Sequence, residues 1–321
     1  MAIAKGSLSQ IVYQQETTYK TTPASPDVKL LYFESENLNA QRNLIQTPVI
    51  RSNRNSASPI LGNYIVTGSI NTHLQAYNLG TLIKGCLGSV TTTGTNPYTH
   101  VIKVGNTLPT FFIEKGFTDI SQYLRYQGCY ISGMSIDFAA EGLQKCSFDI
   151  SGAKYAISAT PLDSTPSISG GYKPFYGGIF TVVNEGGSAI ATIESASVKI
   201  TNEIDAKYTL GSLGEVQEVA VGGVTVSGNI NAFFSDATLL NKALNSTESS
   251  LKFVLQYGTG DGSIGNEYLE IFIPELVYEV TTPAISGKGG IMIQLNFNAY
   301  YDNSTEASSI QVTLKNTEST L

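Results

Sequence analysis

Residues 63–88 constrain this chain more than any other stretch, because their pattern occurs twice. The first part, Asn63-Tyr-Ile-Val-Thr-Gly-Ser-Ile-Asn-Thr72, alternates: Tyr64, Val66 and Ile70 fall on one face, Ile65, Thr67, Ser69 and Asn71 on the other. Alternation of period two marks a half-buried strand. After a polar break, Leu79, Leu82, Ile83, Cys86 and Leu87 follow at helical spacing. Asn78 is placed to cap that helix, and Gly88 to end it in the left-handed conformation. Downstream, Gly228, Ile230 and Asn231 repeat Gly68, Ile70 and Asn71 at an offset of 160. Leu239, Leu240 and Leu244 repeat Leu82, Ile83 and Leu87 at an offset of 157, with Asn245 in the place of Gly88. A strand, a break, a helix and a cap recurring in order predict a tandem duplication.

Two halves suit 321 residues, since each is long enough to bury a core. Charged residues are only 14%, while Gly reaches 31 and Tyr and Phe are common, a profile of turn-rich β proteins. The expected fold is mainly β: two tandem β-sandwich or flattened-barrel domains, each with one short α-helix. The first spans 1–160 and the second 161–321, joined through a Pro- and Gly-rich linker at 153–176.

Residues 1–28 read as a polar, extended arm that orders on assembly. Strands are expected at 29–33, more weakly at 34–45, and at 98–104 and 110–115, with a turn at 91–97. Residues 46–60 form a long loop carrying Arg51 and Arg54. A hairpin at 128–138 and 143–152 closes the first half. Its counterpart in the second half aligns Met134, Ile136 and Phe138 with Leu276, Tyr278 and Val280, and is followed by strands at 291–300 and 310–314.

Signals of catalysis are missing from the sequence. The two histidines, His73 and His100, lack partners at metal-ligand spacing. No nucleophile elbow, Walker A or zincin motif occurs. The run Gly258-Thr-Gly-Asp-Gly262 lacks the Lys and the following helix of a phosphate loop, and reads as a hairpin loop. Neither an enzyme nor a cofactor is expected. Cys86, Cys129 and Cys146 are odd in number and form no C-x-x-C, so they read as small buried hydrophobes of a reducing compartment. A net charge of −7 with no dense basic patch argues against sequence-specific nucleic-acid binding. The first ten residues lack the apolar core of a signal peptide, and no apolar run is long enough to span a membrane.

Three stretches together resemble the tail tube (major tail) proteins of long, non-contractile-tailed bacteriophages. They are Glu16-Thr-Thr-Tyr-Lys-Thr-Thr-Pro23; Gly68-Ser-Ile-Asn-Thr-His-Leu74 with Leu82-Ile-Lys-Gly-Cys-Leu-Gly88; and Pro109-Thr-Phe-Phe-Ile-Glu-Lys-Gly-Phe117 with Gly128-Cys-Tyr-Ile-Ser-Gly-Met-Ser-Ile136. Lys20 stands where the family usually has Gly. The resemblance implies a structural virion protein made in the host cytoplasm. Rings of six tube domains stack into a tail tube that encloses the tape-measure protein, meets the tail terminator and distal tail proteins, and conducts viral DNA. A duplicated chain would supply two domains, so a homotrimer with pseudo-sixfold symmetry would close each ring. An acidic or neutral wall suits passing DNA, because it lacks the Lys and Arg that bind phosphates.

Arg42, Arg51 and Arg54 in the first half face Glu215 and Glu218 at equivalent places in the second. Opposite charges there are candidate contacts between neighbouring subunits. Two other classes compete. A pilin-like or S-layer-like surface subunit would carry a signal sequence, and a carbohydrate-binding β-sandwich would display an aromatic platform, whereas this chain has no Trp.

Overall fold

The computed structural model describes residues 3–190, 193–285 and 287–321. The first half holds β1 (Ser9–Gln15), β2 (Lys29–Leu31), β3 (Ser35–Glu36), β4 (Asn39–Ile45), β5 (Ile60–His73), helix α1 (Gly80–Leu87), β6 (Gly88–Gly94), β7 (Tyr98–Val104), β8 (Phe111–Phe117), β9 (Gln122–Ala139), β10 (Lys145–Gly152) and β11 (Lys154–Ser158). The second half holds β12 (Phe180–Glu185), β13 (Ser188–Ala189), β14 (Ile193–Lys207), β15 (Glu218–Phe233), helix α2 (Thr238–Leu244), β16 (Ser249–Gln256), β17 (Tyr268–Tyr278), β18 (Met292–Ala299) and β19 (Gln311–Asn316). The fold is mainly β, with two short α-helices.

One antiparallel sheet runs through both halves, in the order β4–β5–β10–β9–β14–β15–β18–β17. Its apolar rows cross from strand to strand. Ile70, Phe148, Met134, Ile200 and Val226 are successive partners, and all are buried. A second layer covers that face. In the first half it is β2–β1–β8–β9–β11, and in the second β12–β16–β17–β19–β7–β6. The long strands β9 and β17 belong to both layers. Phe138 of the first sheet stacks on Phe253 of the second layer, ring centroids 4.7 Å apart.

The halves repeat in register, not only in sequence. Asn39 faces Thr67 as Lys199 faces Ser227, a shift of 160 on both strands. The hairpins break register at the same place, between Arg42 and Leu44 in one and Asn202 and Ile204 in the other. A second irregularity, between Phe111 and Ile113 on β8, recurs between Ser249 and Leu251 on β16. Bulges add one residue to one strand and re-aim everything after it, so two coincidences of this kind are specific. The pairing also corrects the closing-hairpin alignment. Gly68, Ile150 and Ile131 form one row, and Gly228, Phe297 and Tyr278 form its counterpart. Tyr278 therefore takes the place of Ile131, not of Ile136.

The matched glycines answer a close approach. Gly68 has φ +153, and a Cβ there would sit 2.6 Å from Leu38 Cα. A Cβ on Gly228 would run into the Ser197 carbonyl oxygen and the Phe297 ring. Helix α1 is buried along nearly its whole length, and Gly88 ends it at φ 97 with its N–H on the Lys84 carbonyl. Asn78 does not cap it: its amide exchanges hydrogen bonds with the Ser169 backbone. At the second helix Asn245 is not left-handed; Ser246, at φ 48, is.

Two further expectations change. The polar N-terminal arm contains β1, whose Ile11, Val12 and Tyr13 are buried between β2 and β8. The threonine-rich turn is mostly strand β6, as β-branched residues favour. Its hairpin partner β7 pairs with β19, so first-half residues complete the second-half layer. His100 on β7 is fully buried there. Its Nε2 lies 2.9 Å from the Glu318 carbonyl and its Nδ1 2.8 Å from Thr92 Oγ1, the pattern of a neutral imidazole with Nε2 donating. The three cysteines are free and buried, and burial pushes the Cys86 thiol up to about 12.

Two outcomes are expected. Gly228→Ala places a methyl group against backbone and should lower unfolding free energy by about 1–3 kcal/mol in urea titration; an unchanged midpoint would contradict the close-packing account. Burial holds His100 below its ordinary pKa. An unfolded chain then takes up the proton more readily, so this contribution to stability is complete above about pH 6.5 and is lost as pH falls through the folded value. The stability gap between the native protein and His100→Gln should narrow between pH 7.5 and 5.5; parallel pH curves would contradict it.

Candidate functional site

The face of the eight-stranded sheet that points away from the core carries continuous polar rows. Strand alternation builds it: each buried row is flanked by rows of the opposite orientation. One such row runs Ser35, Asn71, Ser147, Ser135, Lys199, Ser227 and Asn298, each residue paired with the next. The next runs His73, Lys145, Asp137, Ser197, Asn229 and Asn296. A third runs Ser69, Asp149, Gly133, Thr201 and Thr225.

These rows are made of hydroxyls and amides. Side chains bridge neighbouring strands within them: Asn71 Nδ2 donates to Ser35 Oγ at 2.9 Å, and Asn229 Nδ2 to Ser197 Oγ at 2.7 Å. Glu279 accepts from both Asn296 and Asn298 at 3.1 Å. The charges on these rows are Lys145, Lys199, Asp137, Asp149 and, at the end of the second row, Glu279. Lys145 lies directly opposite Asp137, so the surface is close to neutral. The sequence left an acidic or a neutral wall open; these rows are polar with few charges. A signal for it was present, since Ser227, Asn229 and Asn231, and Gln294, Asn296 and Asn298, recur at period two.

The candidate contact residues lie at one end of this sheet. Arg42 donates from Nε to the Gly62 carbonyl at 2.7 Å, and its guanidinium sits 4.5 Å from the Tyr64 ring centroid. Its other nitrogen reaches the Leu213 carbonyl, in the loop that joins β14 to β15. That loop docks on the first half. Tyr64 donates its N–H to the Gly214 carbonyl, and Tyr208 donates its hydroxyl to the Tyr64 carbonyl. Glu215 meets Lys20 at 3.6 Å rather than any of the three arginines. Arg51 donates to the carbonyls of Asn55 and Ser56 within its own loop, and Arg54 is exposed. Glu218 is exposed at the start of β15, opposite Lys207. The structure thus brings Arg42 to the loop that carries Glu215, and leaves Arg51, Arg54 and Glu218 at the surface.

Neither histidine has a catalytic setting. His73 shares a hydrogen bond with the Tyr172 hydroxyl, and His100 is consumed by the seam with β19. Among the described residues no His, Cys, Asp and Glu cluster has the geometry of a metal site, and no helix is long and apolar enough to cross a membrane. The Gly258–Gly262 run is a loop between β16 and β17, held by Asn266 and Asp261.

Compared with curated proteins, the chain matches none. The family model described as phage tail tube protein matches residues 6–299, nearly the whole chain and both halves of the sheet. The chain therefore belongs to the phage tail tube protein family, and is a structural component of the virion tail rather than an enzyme.

Proposed function

We propose that the chain is a duplicated tube subunit, that three copies close one ring, and that the polar face of the eight-stranded sheet lines the channel. The repeated register and the two repeated bulges support the duplication. The observation that carries the luminal assignment is the continuous neutral face of Ser, Thr and Asn. A tube through which DNA slides must offer water-like hydrogen bonding without a fixed cationic lattice. Each phosphate held by a Lys or Arg releases counterions and adds affinity, with a salt slope of about −0.9 per contact. Hydroxyls and amides give no such gain, and the few charges in the rows largely offset one another. The same wall accommodates a tape-measure protein before the DNA enters.

Assembly follows from the same geometry. Rings stack into a tube in the virion tail, with tail terminator and distal tail proteins at its ends, after synthesis in the host cytoplasm. Arg51 and Arg54, and the acidic Glu218, lie where neighbouring copies or successive rings would meet. The Arg42 and Glu215 contacts within the chain are the local precedent.

Replacing Ser135, Ser147 and Ser227 together by Lys should leave tubes intact but make them retain DNA at low salt, and should reduce plaque titre by orders of magnitude. Intact Lys-bearing tubes that eject DNA normally would contradict the luminal assignment. Charge reversal at Arg51 and Arg54 should slow tube growth in a light-scattering assay; unchanged growth would remove these residues from the interface.

A further inference from the structure

We infer that the joint between adjacent chains copies, residue for residue, the joint between the two halves of one chain. The outer edge of β4 of one copy pairs antiparallel with residues 279–281 of the next. This rests on the self-assembly reading above, and it adds the strand, the register and the hydrogen-bonding faces.

The internal joint is the template. There β14 pairs with the second part of β9, from Ser195 opposite Ala139 to Thr201 opposite Gly133. The β4–β5 hairpin superposes on β14–β15 by a shift of 160, so Gln41 holds the place of Thr201, and Ala40 that of Ile200. Yet among the described residues β4 pairs only with β5, and its outer edge meets no other strand, Leu38 alone being capped by the side chains of Glu36, Lys115 and Tyr126. At the far end of the sheet, the β9–β10 and β17–β18 hairpins also correspond. Asp149 faces Gly133, and Asn296, which holds the place of Asp149, receives the Glu279 N–H at 2.8 Å. Glu279 therefore stands where Gly133 stands. In the first half the chain continues from Gly133 as a paired strand to Ala139. In the second half β17 ends at Tyr278, and residues 280–285 form no strand. Among the described residues, the outward side of the segment after Glu279 meets no strand of its own chain.

Exposure follows the same division. Leu44 and Leu61, beside the bulge of the open hairpin, are 59% and 58% exposed. Their equivalents Ile204 and Val221, at the internal joint, are half-buried. Val280, in the place of the buried Met134, is 58% exposed. An unpaired edge with apolar residues at both ends is a docking surface for a strand, and continuity with the internal joint makes a second copy its occupant.

The backbone directions agree. The Glu279 N–H points to β18, so by alternation Thr281 and Pro283 point the same way, and Val280, Thr282 and Ala284 point outward. Pro283, which has no N–H, thus falls on the side that the new joint does not use. On the other edge Asn37 donates to the Ser69 carbonyl of β5, so Leu38 and Ala40 point outward. The template then puts Ala40 opposite Val280 as a hydrogen-bonded pair, with Asn39 opposite Thr281 beside it; Leu38, whose N–H donates to Glu36 and whose carbonyl accepts from Lys115 and Tyr126, ends the joint.

Cysteine pairs test this in the full-length protein. A non-hydrogen-bonded antiparallel pair has Cα atoms about 4.5 Å apart, within disulfide reach. In one chain these two positions lie at opposite edges of the sheet, roughly 30 Å apart at the usual strand spacing. Asn39→Cys combined with Thr281→Cys, oxidised after assembly, should give a covalent ladder ending at closed rings on a non-reducing gel. Asn39→Cys with Pro283→Cys, two residues out of register, should give at most a tenth as much. The paired double variant kept as a dilute monomer should give none. Negative-stain images of the unmodified protein are read alongside. Tubes that form while the matched pair fails to link, or links no better than the offset pair, overturn the inferred joint and leave the tube reading standing. Absence of rings and tubes from the unmodified protein overturns both.

Discussion

The structure depends on the antiparallel ladder between β9 and β14. Among the described residues it is the only place where the two halves share a sheet on the polar side, and it turns two four-stranded sheets into one of eight. Each ladder hydrogen bond contributes about 0.5–1.5 kcal/mol net, so the joint is a cooperative seam, not a loose tether. Buried partners reinforce it from behind: Ile200 against Met134, Val198 against Ile136, and Ala196 against Phe138. Asn202, also buried, crosses the seam to donate to the Cys86 and Ile131 carbonyls of the first half. A free sheet edge is an invitation to pair. Within one chain that invitation is answered once and left open at the two ends of the sheet.

The two faces of that sheet divide the labour. The inward rows are Ile, Val, Phe and Met packed against a second layer, and they set stability. The outward rows are mostly Ser, Thr and Asn, and the proposed channel wall is built on them. Such residues are weak partners for anything that passes. They satisfy one another across strands, as Asn229 and Ser197 do, and so hold no fixed charge toward a polyanion. Low overall charge, which looks like a solubility liability in a monomer, fits the proposed conduit wall.

Much of this was legible in the sequence. The strand at 60–73 and the helix after it were readable because alternation and helical spacing are local signals. The 160-residue echo of Gly68, Ile70 and Asn71 in Gly228, Ile230 and Asn231 pointed to the repeat, and the same shift holds in the hydrogen-bond register. The cysteines, too, read correctly as buried. What was not legible depends on distant partners. β1 looked polar because Gln10, Gln14 and Gln15 flank a three-residue buried run, Ile11–Tyr13, whose burial comes from β2 and β8. The pairing of β7 with β19 joins residues about two hundred positions apart, and no local pattern announces it. Asn78 has the composition of a cap, but a non-local partner, Ser169, claims its side chain. The alignment of Tyr278 with Ile136 failed because the true equivalent, Ile131, lies five positions back across the bulge at Ser132, and one bulge residue plus an even shift of four leaves hydrophobic alternation unchanged. Of the five candidate contact residues, Arg42 and Glu215 gained partners that only the folded loops reveal.

Three-dimensional reconstruction of the assembled tube is the most direct test of the central claim, that one chain carries two tube domains around a common sheet. Rings of three chains with pseudo-sixfold symmetry are expected, with the Ser, Thr and Asn rows facing the channel. Rings of six chains, or a channel lined by any other face of the molecule, would contradict it.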